Sequence, residues 1–188
     1  MSIPKIIHYC WFGGGPISPE SRKCMESWKK YCPDYKIMAW NEQNFDISAN
    51  RYAQQAYAAK KYAFVSDYAR LAVLYEYGGI YLDTDVELVR PLDELLEYKG
   101  FIGMEHSAPS PYGRTLLVNT GSGVGAEPGC GMIGKMLAAY RNAAFIQETG
   151  EPDLRTCTQR DTPLFAKAGL QQKNEQQELD GFLVLPTD

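Results

Sequence analysis

Two glycines, Gly78-Gly79, separate a segment with helical periodicity from a segment with the pattern of a strand. Residues 50–77 are rich in Ala, Tyr, Lys and Leu, and they predict one long helix or two consecutive helices. A glycine pair ends a helix well because glycine readily adopts the left-handed conformation found at helix C-termini. Residues 80–89 then predict a strand. A helix that leads directly into a strand predicts a domain in which helices pack on a sheet.

The same alternation extends along the rest of the chain. Ser18 and Pro19 predict an N-cap and a first helical residue, with a stop at Cys32-Pro33-Asp34. The other predicted strands are 3–12, 35–40, 101–105, 116–124 and 182–185, and the other predicted helices are 91–98, 130–146 and 163–170. This order predicts one α/β domain over residues 1–188, with a mostly parallel central sheet flanked by helices.

Composition excludes several classes of protein. The 19 basic and 23 acidic residues give a net charge of −4, so no nucleic-acid partner is expected. No apolar run approaches the roughly 20 residues of a membrane-spanning helix, and the N-terminus lacks the pattern of a secretory signal. The five cysteines are an odd number without a Cys-x-x-Cys pair, which argues against a disulfide framework. We therefore expect a cytoplasmic protein.

Acidic residues alternate along the predicted strand that follows the glycine pair. Tyr81, Asp83, Asp85 and Glu87 would face one side of an extended strand. Like charges placed this way repel each other, and a divalent cation such as Mn²⁺ or Mg²⁺ would compensate them, since both prefer oxygen ligands and bind phosphates. The alternative is an edge strand with a solvated acidic face.

The preceding helix carries a second charged pair, Asp67 and Arg70, at the border of its apolar face. This pair is either a simple i, i+3 ion pair or part of a cavity lining. In a cavity, the carboxylate would accept sugar hydroxyl protons and the guanidinium would hold hydroxyl or phosphate oxygens.

Taken together, these segments resemble the signature of glycosyltransferase family 32, the DXD sugar-binding, capsular-polysaccharide-type enzymes. The family is distantly similar to the large clostridial glucosylating toxins. The resemblance is carried by Ser66-Asp67-Tyr68-Ala69-Arg70, by Gly78-Gly79-Ile80-Tyr81-Leu82-Asp83-Thr84-Asp85, and by the opening strand from Ile3 to Gly13. It implies a GT-A type nucleotide-sugar-binding fold and transfer of a sugar with retention of anomeric configuration.

The resemblance also implies how the donor is bound. Trp11 would stack on the base, Asp67 and Arg70 would hold the sugar, and Tyr81 would contact the ribose–phosphate region. Asn119 would lie near the sugar or the acceptor.

The metal would be Mn²⁺ or Mg²⁺, ligated directly by Asp85 and supported by Asp83, which would also contact the ribose. Ser66 would cap or orient its neighbours in the donor site. The catalytic set implied is thus Asp67, Arg70, Asp83 and Asp85. Family members usually continue into a closing C-terminal segment with a His and a Ser-Trp pair, and we expect this chain to lack it.

The implied partners are a nucleotide-sugar donor, with UDP favoured over GDP, and a glycan or lipid-linked oligosaccharide acceptor in surface polysaccharide synthesis. Such an acceptor would place the protein at the inner face of the membrane, as a peripheral protein. Two other interpretations stay open. One is a non-catalytic nucleotide-sugar or glycan-binding module of the same fold. The other is a haloacid-dehalogenase-like, Mg²⁺-dependent phosphatase, whose Asp-x-Asp normally follows the first strand.

Overall fold

The computed structural model describes residues 2–111 and 113–187. Within these ranges the chain forms a seven-stranded sheet flanked by α-helices. The strands are β1 (Ile6–Cys10), β2 (Lys36–Trp40), β3 (Gly79–Tyr81), β4 (Gly100–His106), β5 (Leu116–Ala126), β6 (Gln177–Leu179) and β7 (Phe182–Leu185). The helices are α1 (Pro19–Tyr31), α2 (Arg51–Ala58), α3 (Tyr62–Tyr77), α4 (Gly131–Ala138) and α5 (Cys157–Lys167). The predicted α/β fold is confirmed.

The sheet has the strand order β2-β1-β3-β5-β4-β7-β6. β1 pairs in parallel with β2 and β3, and β4 pairs in parallel with β7. The β3–β5, β4–β5 and β6–β7 pairs are antiparallel, so the expectation of a mostly parallel sheet is wrong. Parallel neighbours need a long crossover connection. A loop joins β4 to β5, so these two strands pair antiparallel.

Each face of the sheet is covered by different helices. α1 covers one face, where Trp28 packs with Ile7 and Ile80. The other helices cover the opposite face, and their side chains form the larger core with Tyr81 and Val118. Ile80 and Tyr81 thus enter different cores, as strand alternation requires. No helix in the described part of the chain has both the length and the apolar character needed to cross a bilayer.

The predicted start of α1 and the predicted helix end at the glycine pair are confirmed. Ser18 caps α1 by accepting a hydrogen bond from the Ser21 amide at 3.0 Å, and Pro19 is the first helical residue. Residues 50–77 form two consecutive helices, and Asn50 caps the first by accepting from the Ala53 amide. Gly78 ends α3 with a φ of 63°, a conformation that favours glycine.

The predicted strand 80–89 is wrong beyond its first residues, since β3 ends at Tyr81. The chain turns at Asp83, whose carbonyl accepts a hydrogen bond from the Val86 amide at 3.0 Å. The segment after the turn is held by α1: the Trp28 indole donates to the Val86 carbonyl, and Ser27 Oγ accepts from the Leu88 amide. Backbone groups that a longer strand would have paired within the sheet are satisfied by helix side chains.

Three predicted helices have different bounds. Residues 91–98 contain only a 3₁₀ turn, Asp93–Leu95. α4 ends at Ala138, because other elements take the backbone groups that follow: Asn50 donates to the Tyr140 carbonyl, and Gln55 accepts from the Ile146 amide. α5 begins before the predicted start at Pro163, which lies inside the helix, and Thr156 caps it.

Candidate functional site

A buried arginine on α3 links three elements of the fold. Arg70 Nη2 lies 3.0 Å from Asp67 Oδ1 and 3.3 Å from Asp83 Oδ1. Its Nη1 donates to Thr120 Oγ1 at 3.1 Å, and its Nε donates to the Ser66 carbonyl at 3.2 Å. The guanidinium is therefore fixed on every side by named partners. We call Asp67, Arg70, Tyr81, Asp83 and Thr120 the Arg70 cluster.

The position of α3 explains why its charged pair is buried. α3 packs against α2, α4 and the sheet, so residues on several of its faces are covered. Asp67 is 8% exposed and Arg70 is 3% exposed. Helical periodicity predicted that Asp67 and Arg70 lie at the border of the apolar face of α3, whereas the structure buries both side chains. A buried i, i+3 ion pair contributes little to the stability of the fold, because desolvation of both charges opposes their attraction.

Tyr81 and Asp83 extend from the end of β3 towards the same guanidinium. The Tyr81 hydroxyl donates to Asp83 Oδ1 at 2.8 Å, and the Arg70 guanidinium lies over the Tyr81 ring, 4.7 Å from its centroid. Asp83 keeps 37% of its side chain exposed, whereas Tyr81 is 1% exposed. Tyr81 is thus placed to orient Asp83, and its contact with the ribose–phosphate region of a donor stays a prediction.

A bulge in β5 brings the glycine-rich segment to the cluster. Ile102 of β4 pairs with Val124, but the next residue, Gly103, pairs with Asn119, so residues 120–123 have no partner on β4. In the bulge, the Gly121 carbonyl accepts a hydrogen bond from the Asp83 amide at 3.1 Å. Bulges of this kind are common beside functional sites because they re-aim the strand.

Gly121 marks the point where the site residues converge. A Cβ added there would collide with Asp83 Oδ2, and it would lie 3.2 Å from Asn119 Oδ1 and 3.3 Å from Arg70 Nη1. Glycine is therefore needed for close approach rather than for a turn. The glycine-rich segment lies inside β5.

Electrostatics keep the arginine of the cluster charged. Burial lowers the pKa of Arg70, but Tyr81, Asp67 and Asp83 together raise that pKa well above its usual value. Burial also raises the pKa of Asp67, and the charge of Arg70 opposes that rise. A carboxylate and a guanidinium in one shielded site can accept and donate hydrogen bonds to the same polyhydroxylated ligand.

Asp85 lies outside the Arg70 cluster. It is on the exposed turn after β3, where its carbonyl accepts a hydrogen bond from the Cys24 thiol at 3.4 Å. In residues 2–111 and 113–187, no three His, Cys, Asp or Glu side chains converge as metal ligands do. Two oxygen donors on one turn still suit Mg²⁺ or Mn²⁺, which commonly bind one or two carboxylates and complete their shell with substrate phosphates.

The remaining predicted site residues lie around the cluster. Asn119 is fixed at both ends: its Nδ2 donates to Glu105 Oε2 at 2.6 Å, and its Oδ1 accepts from the Gly121 amide at 2.8 Å. Ser66 donates to the Tyr62 carbonyl, in addition to accepting from Arg70. Trp11 is half-buried and donates from its indole to the Gly15 carbonyl at 2.7 Å. The roles assigned to these residues stay predictions.

Sequence reasoning missed two residues that hold the cluster together. Thr120 bonds directly to Arg70, and Glu105 orients the Asn119 amide. Thr120 adjoins the predicted Asn119, so its position in the sequence was a usable signal. No signal existed for Glu105, because its pairing depends on the register of β4 against β5.

His8 is a core residue on β1. It is fully buried, its Nδ1 accepts from the Trp40 indole at 3.0 Å, and its Nε2 lies 2.8 Å from the Gly78 carbonyl. The indole bond requires an unprotonated Nδ1, so the Nε2 proton is donated to the carbonyl. Burial lowers the pKa of His8 in agreement with a neutral ring.

Comparisons with known proteins agree with the resemblance found in the sequence. Residues 18–102 match the family described as glycosyltransferase sugar-binding region containing DXD motif. The chain is 33% identical over 127 residues to inositol phosphoceramide mannosyltransferase 3 of Schizosaccharomyces pombe, covering 62% of this chain and 33% of that protein. It is 30% identical over 111 residues to mannosyl phosphorylinositol ceramide synthase SUR1 of Saccharomyces cerevisiae, covering 53% of this chain and 27% of that protein.

The fold is similar to that of a solved structure. The PaToxG glycosyltransferase superposes with a TM-score of 0.60 at 24% sequence identity, covering 88% of this chain and 68% of that chain. This likeness supports the GT-A type fold. The chain spans about a third or less of the length of the two curated relatives, at 33% and 27%.

Proposed function

Residues 18–102 match the family described as glycosyltransferase sugar-binding region containing DXD motif, and we propose that the chain transfers a hexose from a nucleoside diphosphate donor. The observation that carries the proposal is the Arg70 cluster, in which a buried Asp67–Arg70 pair adjoins the half-exposed carboxylate of Asp83. The relatives named as mannosyltransferases support a sugar substrate of this class.

The Arg70 cluster suits a sugar because its groups are held before a ligand arrives. Arg70 is fixed by hydrogen bonds to Ser66 and Thr120 as well as by its two carboxylates. A ligand that binds there pays little for ordering these side chains, and shielded hydrogen bonds are stronger than the same bonds in water. Asp67 would accept hydroxyl protons from the sugar, and Arg70 would donate to its oxygens. Together they would hold the anomeric carbon in position.

Asp83 and Asp85 would hold a divalent cation between the turn and the diphosphate. When bound, the cation would supply charge neutralisation for the leaving nucleoside diphosphate. Asp83 accepts hydrogen bonds from Arg70 and Tyr81 through Oδ1, so Oδ2 would be the atom left to bind the cation. Trp11 would stack on the base. Retention of anomeric configuration is proposed from the resemblance alone, as is a glycan or lipid-linked acceptor.

The order of strands argues against the phosphatase interpretation. The Asp-x-Asp segment follows β3 rather than the first strand, and the turn carries Val86 after Asp85. The helix before it supplies a buried Asp67–Arg70 pair, for which aspartyl-phosphate chemistry has no use. Phosphate release from a generic phosphomonoester would contradict the transferase proposal.

The donor can be identified by a thermal-shift series with UDP-glucose, UDP-galactose and GDP-mannose, each with and without Mn²⁺. We expect one donor to raise the melting temperature, and to raise it more when Mn²⁺ is present. Asp85→Asn should remove the Mn²⁺-dependent part of this shift. Glu87→Gln is the matched control, because it neutralises another exposed carboxylate in the same segment. Equal Mn²⁺ responses in the two variants would contradict the metal assignment.

Turnover separates a transferase from a binding module. Release of nucleoside diphosphate and appearance of sugar on a glycan or lipid acceptor, both followed by mass spectrometry, are expected. Binding of donor and Mn²⁺ without either product would support the non-catalytic module.

A further inference from the structure

A second buried polar group lies behind the Arg70 cluster, where α5 packs against β5 and near α4. Asp161 of α5 is 1% exposed, and neither of its carboxyl oxygens has a hydrogen-bond partner among the described residues. The buried Tyr52 and Tyr140 hydroxyls and Arg160 Nε also lack partners there. Such atoms are rare in folded proteins and require an explanation. We call Tyr52, Tyr140, Asp153, Arg160 and Asp161 the Arg160 cluster.

The Arg160 cluster is one compact unit. The Arg160 guanidinium lies 4.8 Å from the centroid of the Tyr52 ring and 5.3 Å from that of Tyr140, and the two rings meet edge to face at 5.0 Å. Arg160 Nη2 lies 2.7 Å from Asp153 Oδ2. Asp161 follows Arg160 directly in the sequence but shares none of these ion pairs.

The two clusters act on each other through their charges. Burial, and then the charges of Asp67 and Asp161, raise the pKa of Tyr140. Burial and then the charge of Asp67 raise the pKa of Asp161 to about 7, while Arg70 and Arg160 oppose that rise. Contacts also place Asp161 near the Arg70 cluster: Cys157, one helical turn before Asp161 on α5, donates from its thiol to Asn119 Oδ1 at 4.0 Å, next to Thr120.

Pairing leaves no counter-ion for Asp161. Arg70 is paired with Asp67 at 3.0 Å, and Arg160 is paired with Asp153 at 2.7 Å. Each buried guanidinium therefore already has a buried carboxylate. A further carboxylate that is buried without a hydrogen bond or counter-ion would be strongly disfavoured in its charged form.

We infer that Asp161 is a positioning residue of the proposed donor-sugar site: it stays protonated behind Asp67, so that Arg70 is drawn only to Asp67 and Asp83. The inference rests on the proposed function. An ionised Asp161 would attract Arg70 towards the interior. The contact with Asp83, at 3.3 Å the longer of the two ion pairs of Arg70, would weaken first. Donor affinity then depends on the protonation of Asp161, a residue that does not contact the donor.

The groups that act on Asp161 come from each neighbouring element. They are Asp67 and Arg70 on α3, Tyr140 after α4, and Cys157 and Arg160 on α5. Tyr52 on α2 and Asp153 before α5 contact Arg160, the neighbour of Asp161 in the sequence. Burial raises the pKa of Cys157 as well as that of Tyr140, so both stay neutral near pH 7. Arg70 stays charged and is ion-paired with Asp67 at 3.0 Å. Asp161 is therefore the buried carboxyl group of this set that has no hydrogen-bond partner among the described residues.

The first test needs no ligand. Carboxyl-detected NMR of the selectively ¹³C-labelled protein should show an aspartate that titrates near pH 7 and that disappears in Asp161→Asn. Asp67→Asn should lower the Asp161 midpoint, because it removes a neighbouring negative charge. A wild-type midpoint below pH 5 would overturn the inference by itself, so the test holds even if the Asp67 variant fails to fold. A midpoint unmoved in a folded Asp67→Asn protein would also overturn it.

The second test measures donor affinity by calorimetry at pH 6 and pH 8, using whichever of the three donors raises the melting temperature. Wild-type affinity should fall about tenfold at the higher pH, a size typical of coupling between sites. The fall should be absent in Asp161→Asn and kept in Glu178→Gln, which neutralises an exposed carboxylate on β6.

The two proposals fail differently. Wild-type affinity that is equal at both pH values, or the same fall in Asp161→Asn as in wild type, would overturn the positioning role and leave the transferase proposal standing. If no donor binds although Asp161 titrates near pH 7, the proposed function fails and the positioning role fails with it.

Discussion

The two buried arginines show how similar residues take on different roles. Arg70 and Arg160 each pair with a buried aspartate and each lie over tyrosine rings, with side chains 4% and 6% exposed. The two arginines differ in the exposure of the carboxylates that they contact. Arg70 also contacts Asp83, whose side chain is 37% exposed, whereas the partner of Arg160, Asp153, is 8% exposed and is shared with Arg155.

Access to solvent therefore separates the proposed donor site from the buried ion pair of Arg160 and Asp153. The Arg70 cluster opens towards the turn after β3, so a ligand can reach its carboxylate. The Arg160 cluster is buried, and within it Arg160 and Asp153 are paired with each other. Apart from Asp161, the contrast predicts that changes in the Arg160 cluster affect mainly stability and that changes in the Arg70 cluster affect mainly binding.

The largest expected effect is on stability. Arg160→Ala leaves Asp153 buried without its inner partner and removes the cation from two tyrosine rings. It should therefore lower the free energy of unfolding by about 3–5 kcal/mol, as measured in urea. Arg155→Ala is the control, since Arg155 pairs with the same aspartate but is 65% exposed, and it should cost less than about 1 kcal/mol. Equal losses of unfolding free energy in the two variants would mean that the Arg160 cluster is not closed to solvent.

A second effect concerns the pH dependence of stability. The folded-state pKa of Asp161 is raised from 3.8 to about 7. The folded protein therefore binds this proton more tightly than the unfolded chain does. The stability it contributes is full below pH 3.8 and is lost as the pH rises to 7, by up to about 4 kcal/mol. Asp161→Asn should gain stability over wild type between these pH values. Parallel stability profiles for the two proteins would contradict this.

The third effect is on donor binding. Arg70→Lys keeps the positive charge but removes the planar group that bonds Ser66, Thr120 and two carboxylates at once. We expect donor affinity to fall by about 1.5–3 kcal/mol, or roughly tenfold to a hundredfold, by calorimetry. Arg22→Lys, an exposed arginine on α1, should leave affinity unchanged. A donor that binds Arg70→Lys as tightly as wild type would remove this arginine from the site.

The smallest effect tests the orientation of Asp83. Tyr81→Phe removes the hydroxyl that donates to Asp83 Oδ1 at 2.8 Å. Donor affinity in the presence of Mn²⁺ should fall by about 1 kcal/mol, with little change in secondary structure by circular dichroism. Tyr9→Phe on β1, which packs against the opposite core, should change neither quantity. An affinity loss shared by both variants would point to a general packing effect.

The fold was largely predictable from local signals. Ser18 and Pro19 start α1, the Gly78-Gly79 pair ends α3, and the last strand lies where its apolar run predicted. The failures occurred where partners distant in the sequence satisfy the backbone. Ser27 and Trp28 hold the segment after β3 on α1, so the residues that read as a continuous strand form a turn instead.

The positions of the candidate site residues were likewise predicted only in part. Asp67, Arg70 and Asp83 were predicted to lie together, and they do, because a helix leading directly into a strand fixes their relation. Asp85 was expected beside them on a strand face and lies instead on the exposed turn. The strand pattern assumed an extended backbone, and that assumption fails at Asp83.

The order of residues along the chain determined which chemistry is available: a carboxylate and a guanidinium one helical turn apart, a glycine pair, and two acids at the end of a short strand. The tertiary structure alone decided which charges are shielded, because burial depends on what packs from elsewhere. Asp161 shows this most clearly, since an unremarkable aspartate in the sequence becomes a buried acid without a hydrogen-bond partner among the described residues once α5 packs onto β5.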